Sequence, residues 1–363
     1  MSSRAERLAQ NFADGVDAVV VMNASEPFLD TTYWYLTGST SGTFEGARAV
    51  VTSDGALHTF VSILEEETAK SSSGEVHVYN TDSERKQQMQ DVLKGCKKIG
   101  VNFSSTAYGS VEWMKSFLEP DVSIVDATKI ISDTIAVKDD KEIALIEKAC
   151  RISSTVANEL PDMIHEGATE RDVASEMGIR MLRLGGTGLA FDTIAAFGAH
   201  SSEPHYSPAD YALRKGDAAL FDFGSKYERY CSDLTRTIFL GEPDPILRRA
   251  YEVVRQAQLA GLAEMKDGAD ASAPDLAARK VIDESEFKGR FIHSFGHGIG
   301  MNIHEAIYVS PKSQQKLRAG NVVSAEPGIY LPGIGGIRIE DTVLITEDGY
   351  RLLTDYDHSY TVV

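Results

Sequence analysis

A chain of 363 residues is longer than a single hydrophobic core usually serves, so we expect two domains. Hydrophobic residues at 42% and charged residues at 25% are near the averages for folded chains, which excludes wholesale disorder. The 36 basic and 54 acidic residues give a formal charge of −18, and such a chain repels nucleic-acid phosphates and anionic membrane surfaces. We therefore expect no nucleic acid and no membrane among its partners.

The number and spacing of the cysteines indicate a reducing cellular compartment. The three cysteines, Cys96, Cys150 and Cys231, are odd in number and widely spaced, which excludes a disulfide framework and a thiolate zinc site. The N-terminal segment has no apolar core of a signal peptide, and no stretch of about 18 apolar residues occurs in the chain. We expect a soluble, cytoplasmic protein.

The first part of the chain, residues 1–135, alternates short apolar runs with helical patterns. This alternation predicts an α/β domain built on a central sheet. The predicted strands lie at 17–22, 47–52, 75–79, 98–102 and 122–126, and the predicted helices lie at 63–70, 83–95 and 108–118.

The pattern changes near residue 135, where we place the domain boundary, so that the second domain covers 136–363. A long amphipathic helix is predicted from Lys138 onwards. A second helix begins at Thr169, which has the character of an N-cap, and ends at Gly185-Gly186. A third begins at Asp244, before a proline at the first helical position. The remainder is strand and turn, so this domain is predicted to be α+β.

Two aspartates lie on consecutive β-rich segments of the second domain. A hairpin centred between Tyr227 and Glu228 would place Asp222 directly opposite Asp233. Opposed residues have Cβ atoms roughly 4.5–5.5 Å apart, and two like charges at that distance need a cation between them. The alternative is a surface hairpin whose aspartates face water independently, but the apolar residues around both aspartates favour a buried hairpin.

A second pair of carboxylates has the same arrangement. Glu326 and Glu340 are equidistant from Gly333, which lies in a Leu-Pro-Gly turn, so a hairpin centred there would oppose them. Four carboxylates on two hairpins carry four negative charges, which two divalent cations would neutralise. Without metal, one or more of these groups would have to be protonated or exposed.

Three of the nine histidines, His293, His297 and His304, fall within twelve positions beside a glycine-rich run. The glycines at 296, 298 and 300 are expected to let the backbone approach a ligand closely. Their spacing is not that of a dinucleotide-binding motif, and a zincin helix is excluded because Tyr308 stands where a second histidine would be needed. His205, in a loop before the first hairpin, is either a further site residue or an exposed loop histidine.

In this order, the motifs resemble those of the pita-bread metallopeptidase family, which includes aminopeptidase P, prolidase, methionine aminopeptidase and creatinase. The motifs are Asp-Phe-Gly at 222–224 followed by Asp233, Gly-His-Gly-Ile-Gly at 296–300, His-Glu at 304–305, Glu-Pro-Gly-Ile-Tyr at 326–330 and Ile-Arg-Ile-Glu-Asp-Thr at 337–342. The resemblance implies a pita-bread catalytic domain after a creatinase-like N-terminal domain. The length of that N-terminal domain favours the proline-specific branch, the Xaa-Pro dipeptidases and aminopeptidases P, over the shorter methionine aminopeptidases.

Carried over by position, the resemblance implies a role for each candidate residue. The implied ligands of two metal ions are Asp222, Asp233, His297, Glu326 and Glu340. The implied residues that hold the scissile peptide are His205 and His304, and those typical of the proline-specific branch are His293 and Arg338. By the same analogy, the protein is expected to form a homodimer.

One position departs from the prolidase pattern. Prolidases often carry Pro-Arg shortly after the His-Glu pair, where the arginine resembles a clamp for the carboxylate of a dipeptide. Tyr308 stands at that place here, and a hydroxyl offers a hydrogen bond but no positive charge. We therefore expect tolerance of peptides longer than dipeptides.

The expected activity is exopeptidase cleavage of Xaa-Pro bonds in short proline-containing peptides. Two metal ions lower the pKa of a shared water toward about 7, and the resulting hydroxide attacks the carbonyl. Glu326 is the candidate proton carrier, and His304 is expected to stabilise the oxyanion. The oxygen-rich ligand set favours Mn²⁺ or Co²⁺, with Zn²⁺ as an alternative.

Two other functions are open on sequence alone. One is an exopeptidase of relaxed specificity that resembles methionine aminopeptidase, which a comparison of Met-Ala with Ala-Pro peptides would separate from the first. The other is a non-catalytic peptide-binding relative, which the intact carboxylates disfavour.

Overall fold

A computed structural model describes residues 2–12, 15–355 and 358–363 of the chain. The chain divides into two compact units, Met1–Ile135 and Ala136–Val363. Within the described part, no helix has the length and apolar character needed to cross a membrane.

The described residues of the first unit form six α-helices and six strands, which is three helices and one strand more than the sequence predicts. Its helix α4 begins at a capping box, in which Thr81 and Glu84 each bond the other's backbone N–H. The helices are α1 (Arg4–Gln10), α2 (Thr32–Thr37), α3 (Glu66–Ala69), α4 (Asp82–Val92), α5 (Tyr108–Lys115) and α6 (Thr128–Ala136). The strands are β1 (Ala18–Met22), β2 (Arg48–Thr52), β3 (Leu57–Ser62), β4 (Glu75–Tyr79), β5 (Lys98–Val101) and β6 (Ser123–Asp126).

These six strands form one mixed sheet in the order β4-β3-β2-β1-β5-β6. The β1–β2 and β2–β3 pairs are antiparallel, whereas β3–β4, β1–β5 and β5–β6 are parallel. The predicted α/β domain with a central sheet is thus confirmed. The segment around Trp34 forms α2, whose aromatic side chains are buried, and Gly38 ends this helix in the left-handed conformation.

The described residues of the second unit form four α-helices, and one of them, Ala273–Asp283, corrects the prediction that only strand and turn follow the third helix. Each predicted start is confirmed by its cap: Asp139 caps α7, Thr169 accepts the Asp172 N–H, and Asp244 accepts the Ile246 N–H. The helices are α7 (Asp140–Met163), α8 (Glu170–Arg183), α9 (Pro245–Leu262) and α10 (Ala273–Asp283).

The strands of the second unit form four small antiparallel sheets. Their orders are β11-β10-β7, β12-β9-β8, β14-β13-β15-β18-β19 and β16-β17. The strands are β7 (Gly188–Leu189), β8 (Ile194–Phe197), β9 (Ala218–Phe223), β10 (Ser225–Tyr227), β11 (Tyr230–Cys231), β12 (Leu234–Phe239), β13 (Gly296–Gly298), β14 (Glu305–Val309), β15 (Val322–Ala325), β16 (Gly328–Leu331), β17 (Gly335–Arg338), β18 (Asp341–Ile345) and β19 (Tyr350–Leu352).

The first hairpin has a different register from the predicted one. Its turn is centred between Glu228 and Arg229, which both have positive φ, at 44° and 74°. The partner of Asp222 on β12 is therefore Thr235, and Asp233 lies two residues before it, ahead of the strand. The direct opposition of Asp222 and Asp233 was wrong because two non-glycine residues adopt the left-handed conformations that a two-residue turn requires here.

The second hairpin is centred on Gly333, as the sequence predicts. The β16–β17 pairs and the β15–β18 pairs share one register about this residue. Glu326 and Glu340 lie between the two paired segments, on opposite arms of the hairpin. Their side chains are thus held in place by strands on both sides.

Two glycines of the 296–300 run, Gly296 and Gly300, allow close packing within the protein. A Cβ at Gly296 would lie 2.1 Å from the Ser324 carbonyl oxygen, and one at Gly300 would lie 2.2 Å from a carboxylate oxygen of Glu305. Glycine is needed at these positions because β13 packs directly on β15 and the following loop folds over the Glu305 side chain.

Candidate active site

A cavity of about 340 Å³ lies in the second unit. All ten residues that the sequence analysis selects line it: Asp222, Asp233, His297, Glu326, Glu340, His205, His304, His293, Arg338 and Tyr308. Apolar side chains, including Phe191 and Ile194, complete its wall. The cavity therefore combines four carboxylates and four histidines with an apolar side.

The four carboxylates come from the two hairpins described above. Asp222 lies on β9, and Asp233 lies just before the paired partner strand β12. Glu326 follows β15 and Glu340 precedes β18, at the point where the second hairpin is not paired. Because each side chain leaves a strand end or a break in strand pairing, its direction is set by rigid backbone on at least one side.

Two carboxylate oxygens in the cavity are buried without any hydrogen-bond partner. They are Oδ1 of Asp222 and Oε1 of Glu340. The other oxygen of Glu340 accepts the Thr235 hydroxyl at 2.5 Å. A buried carboxylate oxygen without a donor is costly, and a bound cation is the partner that removes the cost. The residues present thus fit a divalent metal ion.

The electrostatics of the cavity also indicate a site for a cation. Burial, followed by the charges of the neighbouring carboxylates, raises the pKa of Asp233 and of Glu340 well above their ordinary values. Burial also raises the pKa of Glu326, to about 7. Ionised carboxylates packed this closely are stable only with positive charge between them.

His297 presents one ring nitrogen to this group. Its Nδ1 lies 3.1 Å from the Gly298 carbonyl oxygen, so Nδ1 carries the proton and Nε2 keeps its lone pair. That Nε2 lies 3.5 Å from Asp233 Oδ2 and 3.3 Å from Glu326 Oε1. Ligand atoms of Asp233, His297 and Glu340 all lie within 4.8 Å of one another. Burial lowers the pKa of His297, so the ring is neutral, as a metal ligand must be.

Arg338 contacts protein groups with all three of its nitrogens. Its Nη2 makes an ion pair with Asp222 Oδ2, Nε donates to the Thr235 hydroxyl at 3.1 Å, and Nη1 donates to the Tyr330 hydroxyl at 2.9 Å. The side chain is buried. The guanidinium thus orients Asp222 and Thr235, and the role that the resemblance implies for Arg338 stays a prediction.

His293 is linked to the same group through Tyr330. Its Nδ1 lies 2.9 Å from the Ser294 carbonyl oxygen and therefore carries the proton, so Nε2 accepts the Tyr330 hydroxyl at 2.7 Å. Burial, with the Arg338 charge as the next cause, lowers the pKa of His293 to about 3, which keeps the ring neutral.

The remaining predicted residues lie around the opening of the cavity. The His304 ring centroid is 4.3 Å from that of His297, with the rings inclined at 63°. His205 lies in the loop after the 3₁₀ helix Gly198–Ser202. Tyr308 lies on β14, paired with His297 in register, and 57% of its surface is exposed.

A buried ion pair supports the loop that carries His304. Lys138 Nζ lies 2.6 Å from Glu305 Oε2, and both side chains are almost fully buried. The other oxygen, Oε1, accepts the Met301 N–H at 3.0 Å. The residue after His304 is thus held at both oxygens, which restricts where the His304 ring lies.

Sequence reasoning missed two polar residues of the site. Thr235 links Glu340 to Arg338, and Tyr330 links Arg338 to His293. Tyr330 lies in the Glu-Pro-Gly-Ile-Tyr motif, and Thr235 lies two residues after Asp233. Because alternate residues of a strand point to the same face, this spacing was the sequence signal that could have indicated both residues. The apolar residues of the wall had no such signal.

The fold and the cavity together define a two-domain chain whose second domain holds a site for divalent cations. Residues 144–347 match metallopeptidase family M24, and residues 4–134 match the creatinase/prolidase N-terminal domain. The chain belongs to metallopeptidase family M24.

Relatives and solved structures that resemble this chain carry peptidase names. The Xaa-Pro dipeptidase of Pyrococcus horikoshii is 36% identical over 347 residues, covering 94% of this chain and 93% of that one. The structure of an Xaa-Pro dipeptidase from Bacillus anthracis matches with a TM-score of 0.91 and 29% identity over 99% of both chains. That of the X-Pro aminopeptidase from Thermotoga maritima matches with a TM-score of 0.89 and 31% identity over the whole of both chains. The predicted family and the pita-bread catalytic domain are thereby confirmed.

Proposed function

We propose that this protein is an exopeptidase that hydrolyses the Xaa-Pro bond of short proline-containing peptides, with 1–135 as the creatinase-like domain and 136–363 as the catalytic domain. The observation that supports it most directly is the pair of buried, unpartnered oxygens on Asp222 and Glu340, within a cavity lined by two more carboxylates and four histidines. The names of the relatives supply the bond type.

Five side chains are the proposed ligands of two divalent metal ions. They are Asp222, Asp233, His297, Glu326 and Glu340. When bound, such ions lower the pKa of water and polarise the scissile carbonyl. Oxygen ligands with one imidazole favour Mn²⁺ or Co²⁺, and Zn²⁺ is the alternative.

The chain's own groups hold the substrate and move protons. Glu326 is the proposed proton carrier, because its carboxylate borders both His297 and His293 and accepts the Ser324 hydroxyl at 3.1 Å. His304, an exposed residue that also lines the cavity, is the proposed donor to the developing oxyanion. His205, which also lines the cavity, is the proposed hydrogen-bonding group near the leaving nitrogen.

The walls of the cavity fit a proline ring better than a charged side chain. Phe191 and Ile194 present apolar surface, and the proline nitrogen of the scissile bond carries no N–H that would need an acceptor. Tyr308 at the mouth offers no positive charge to a dipeptide carboxylate. We therefore expect Ala-Pro-Ala to be cleaved at least as well as Ala-Pro.

The decisive experiment uses metal-free protein reloaded separately with Mn²⁺, Co²⁺ and Zn²⁺, assayed on Ala-Pro and Ala-Pro-Ala. Asp233→Asn should reduce kcat at least about a thousandfold, because it removes a charge and a ligand atom from the metal site. The matched control is Asp348→Asn, the same change at an exposed turn residue, which should leave turnover unchanged. Full turnover by Asp233→Asn, or by the chelated protein, would contradict the proposal.

A cytoplasmic location and a homodimer complete the proposal. All three cysteines are free thiols, which supports a reducing compartment. The homodimer rests on analogy with the family, and sedimentation equilibrium measures it directly.

A further inference from the structure

Two histidines and a glutamate meet on the sheet of the first unit. Strands β3 and β4 are parallel neighbours whose register places His58 beside Glu75 and Phe60 beside His77. Because alternate residues of a strand point to the same face, all four side chains lie on one face of the sheet.

The potential ligand atoms of the three residues lie close together. His58 Nδ1 lies 3.2 Å from His77 Nε2 and 3.4 Å from Glu75 Oε2, and His77 Nε2 lies 3.8 Å from Glu75 Oε1. Around a tetrahedral zinc ion with bonds of about 2.0–2.1 Å, any two ligand atoms are about 3.3 Å apart. The 3.2 Å and 3.4 Å separations match this value, and one ligand atom from each of the three residues lies within 4.8 Å of the others.

The surroundings hold the rings and leave the site open. The His77 ring stacks on the fully buried Phe60, with centroids 4.8 Å apart and an angle of 13°. Each histidine side chain is 19% exposed, whereas that of Glu75 is 67% exposed. A metal ion would therefore contact two largely buried imidazoles and the exposed carboxylate of Glu75.

We propose that His58, Glu75 and His77 bind one divalent transition-metal ion of the zinc class, with water in the remaining position. Two imidazole nitrogens exclude Mg²⁺ and Ca²⁺, which prefer all-oxygen sites. Two ring nitrogens that face each other share at most one proton, whereas a cation bonds both of them and the carboxylate. Such an ion links β4, the edge strand of the sheet, to β3.

Zinc stoichiometry of the full-length protein tests this site. The protein is dialysed to equilibrium against buffered free Zn²⁺, and the bound zinc per chain is measured by elemental analysis. His58→Gln should bind one zinc ion fewer than the unaltered chain, with unchanged activity on Ala-Pro. Equal zinc content in the two proteins would overturn the proposal.

A second variant guards against a folding effect. Glu75 is exposed, so Glu75→Gln keeps the strand intact and should weaken zinc binding at this site at least about tenfold. An unchanged zinc affinity would remove Glu75 from the site and overturn the three-ligand proposal.

Two controls separate this site from other zinc binding. His165→Gln changes an exposed histidine of the second unit and should retain all the zinc; loss of one ion there as well would mean non-specific histidine binding and would overturn the proposal. In an Asp233→Asn background, the same difference of one zinc ion should persist, because the proposal does not depend on the catalytic site.

Discussion

At the scale of single residues, the hydroxyl of Tyr330 connects two parts of the site. It accepts a hydrogen bond from Arg338 and donates one to His293, whose protonated nitrogen is engaged elsewhere. Arg338 in turn holds Asp222. One oxygen atom therefore helps to orient both a proposed metal ligand and a histidine of the cavity wall.

Tyr330→Phe removes that oxygen alone. The substitution leaves a buried guanidinium N–H and a buried imidazole nitrogen without partners, which costs roughly 1–3 kcal/mol. We expect kcat/KM on Ala-Pro to fall about ten- to hundredfold, while circular dichroism shows an intact fold. The matched control is Tyr350→Phe at a more exposed site on β19, which should have no effect. An unchanged kcat/KM in Tyr330→Phe would refute this role.

At the scale of secondary-structure elements, close packing of strands positions the ligands. β13 carries His297 and lies against β15, whose Ser324 hydroxyl accepts the His297 N–H at 2.9 Å. The contact is close only because residue 296 has no side chain. The position of the imidazole thus depends on the neighbouring glycine.

Gly296→Ala tests this dependence. Its Cβ would meet the Ser324 carbonyl oxygen, so the strands must separate and the His297 ring must move. Overpacking of this kind costs on the order of 1–3 kcal/mol, and we expect a lower urea midpoint together with weaker metal binding. Gly349→Ala, where an added Cβ meets nothing within 4 Å, is the control. Equal midpoints for the two variants would show that the strands accommodate the methyl group.

At the scale of the whole molecule, the metal-free protein should be sensitive to pH. Asp233, Glu326 and Glu340 have raised pKa values in the folded chain, mainly because of burial. At any pH between its pKa in the unfolded chain and its higher pKa in the folded chain, such a group binds a proton when the chain folds. The free energy of unfolding therefore falls as the pH rises through that interval. For Glu326 the interval runs from 4.5 to about 7.

We therefore expect the thermal midpoint of chelated protein to fall as the pH is raised from about 5 to about 8. Protein loaded with Mn²⁺ should show a smaller slope, because the cations neutralise the ionised carboxylates. The comparison cancels the contribution of the other acidic residues, which are the same in both samples. Calorimetric scans at matched ionic strength measure the difference. Parallel slopes for the two forms would contradict a metal site at these carboxylates.

Much of the fold and of the candidate site could be predicted from the sequence, because the patterns that indicate them are local along the chain. Helix starts follow from the capping residues Asp139, Thr169 and Asp244, and the second hairpin follows from the turn at Gly333. The motif residues identify the polar side chains that line the cavity. Each of these features depends on side chains a few positions apart in the chain.

Tertiary structure alone decided the pairings. The turn at Glu228 and Arg229 shifts the register, so that Thr235 rather than Asp233 faces Asp222. The meeting of His58 with His77 depends on parallel pairing across a crossover, and no local pattern specifies the alignment of two such strands. The sequence determined which chemical groups are present, whereas packing between distant segments determined which of these groups are in contact. The reason is that strand register depends on the sum of many contacts between residues that are far apart along the chain.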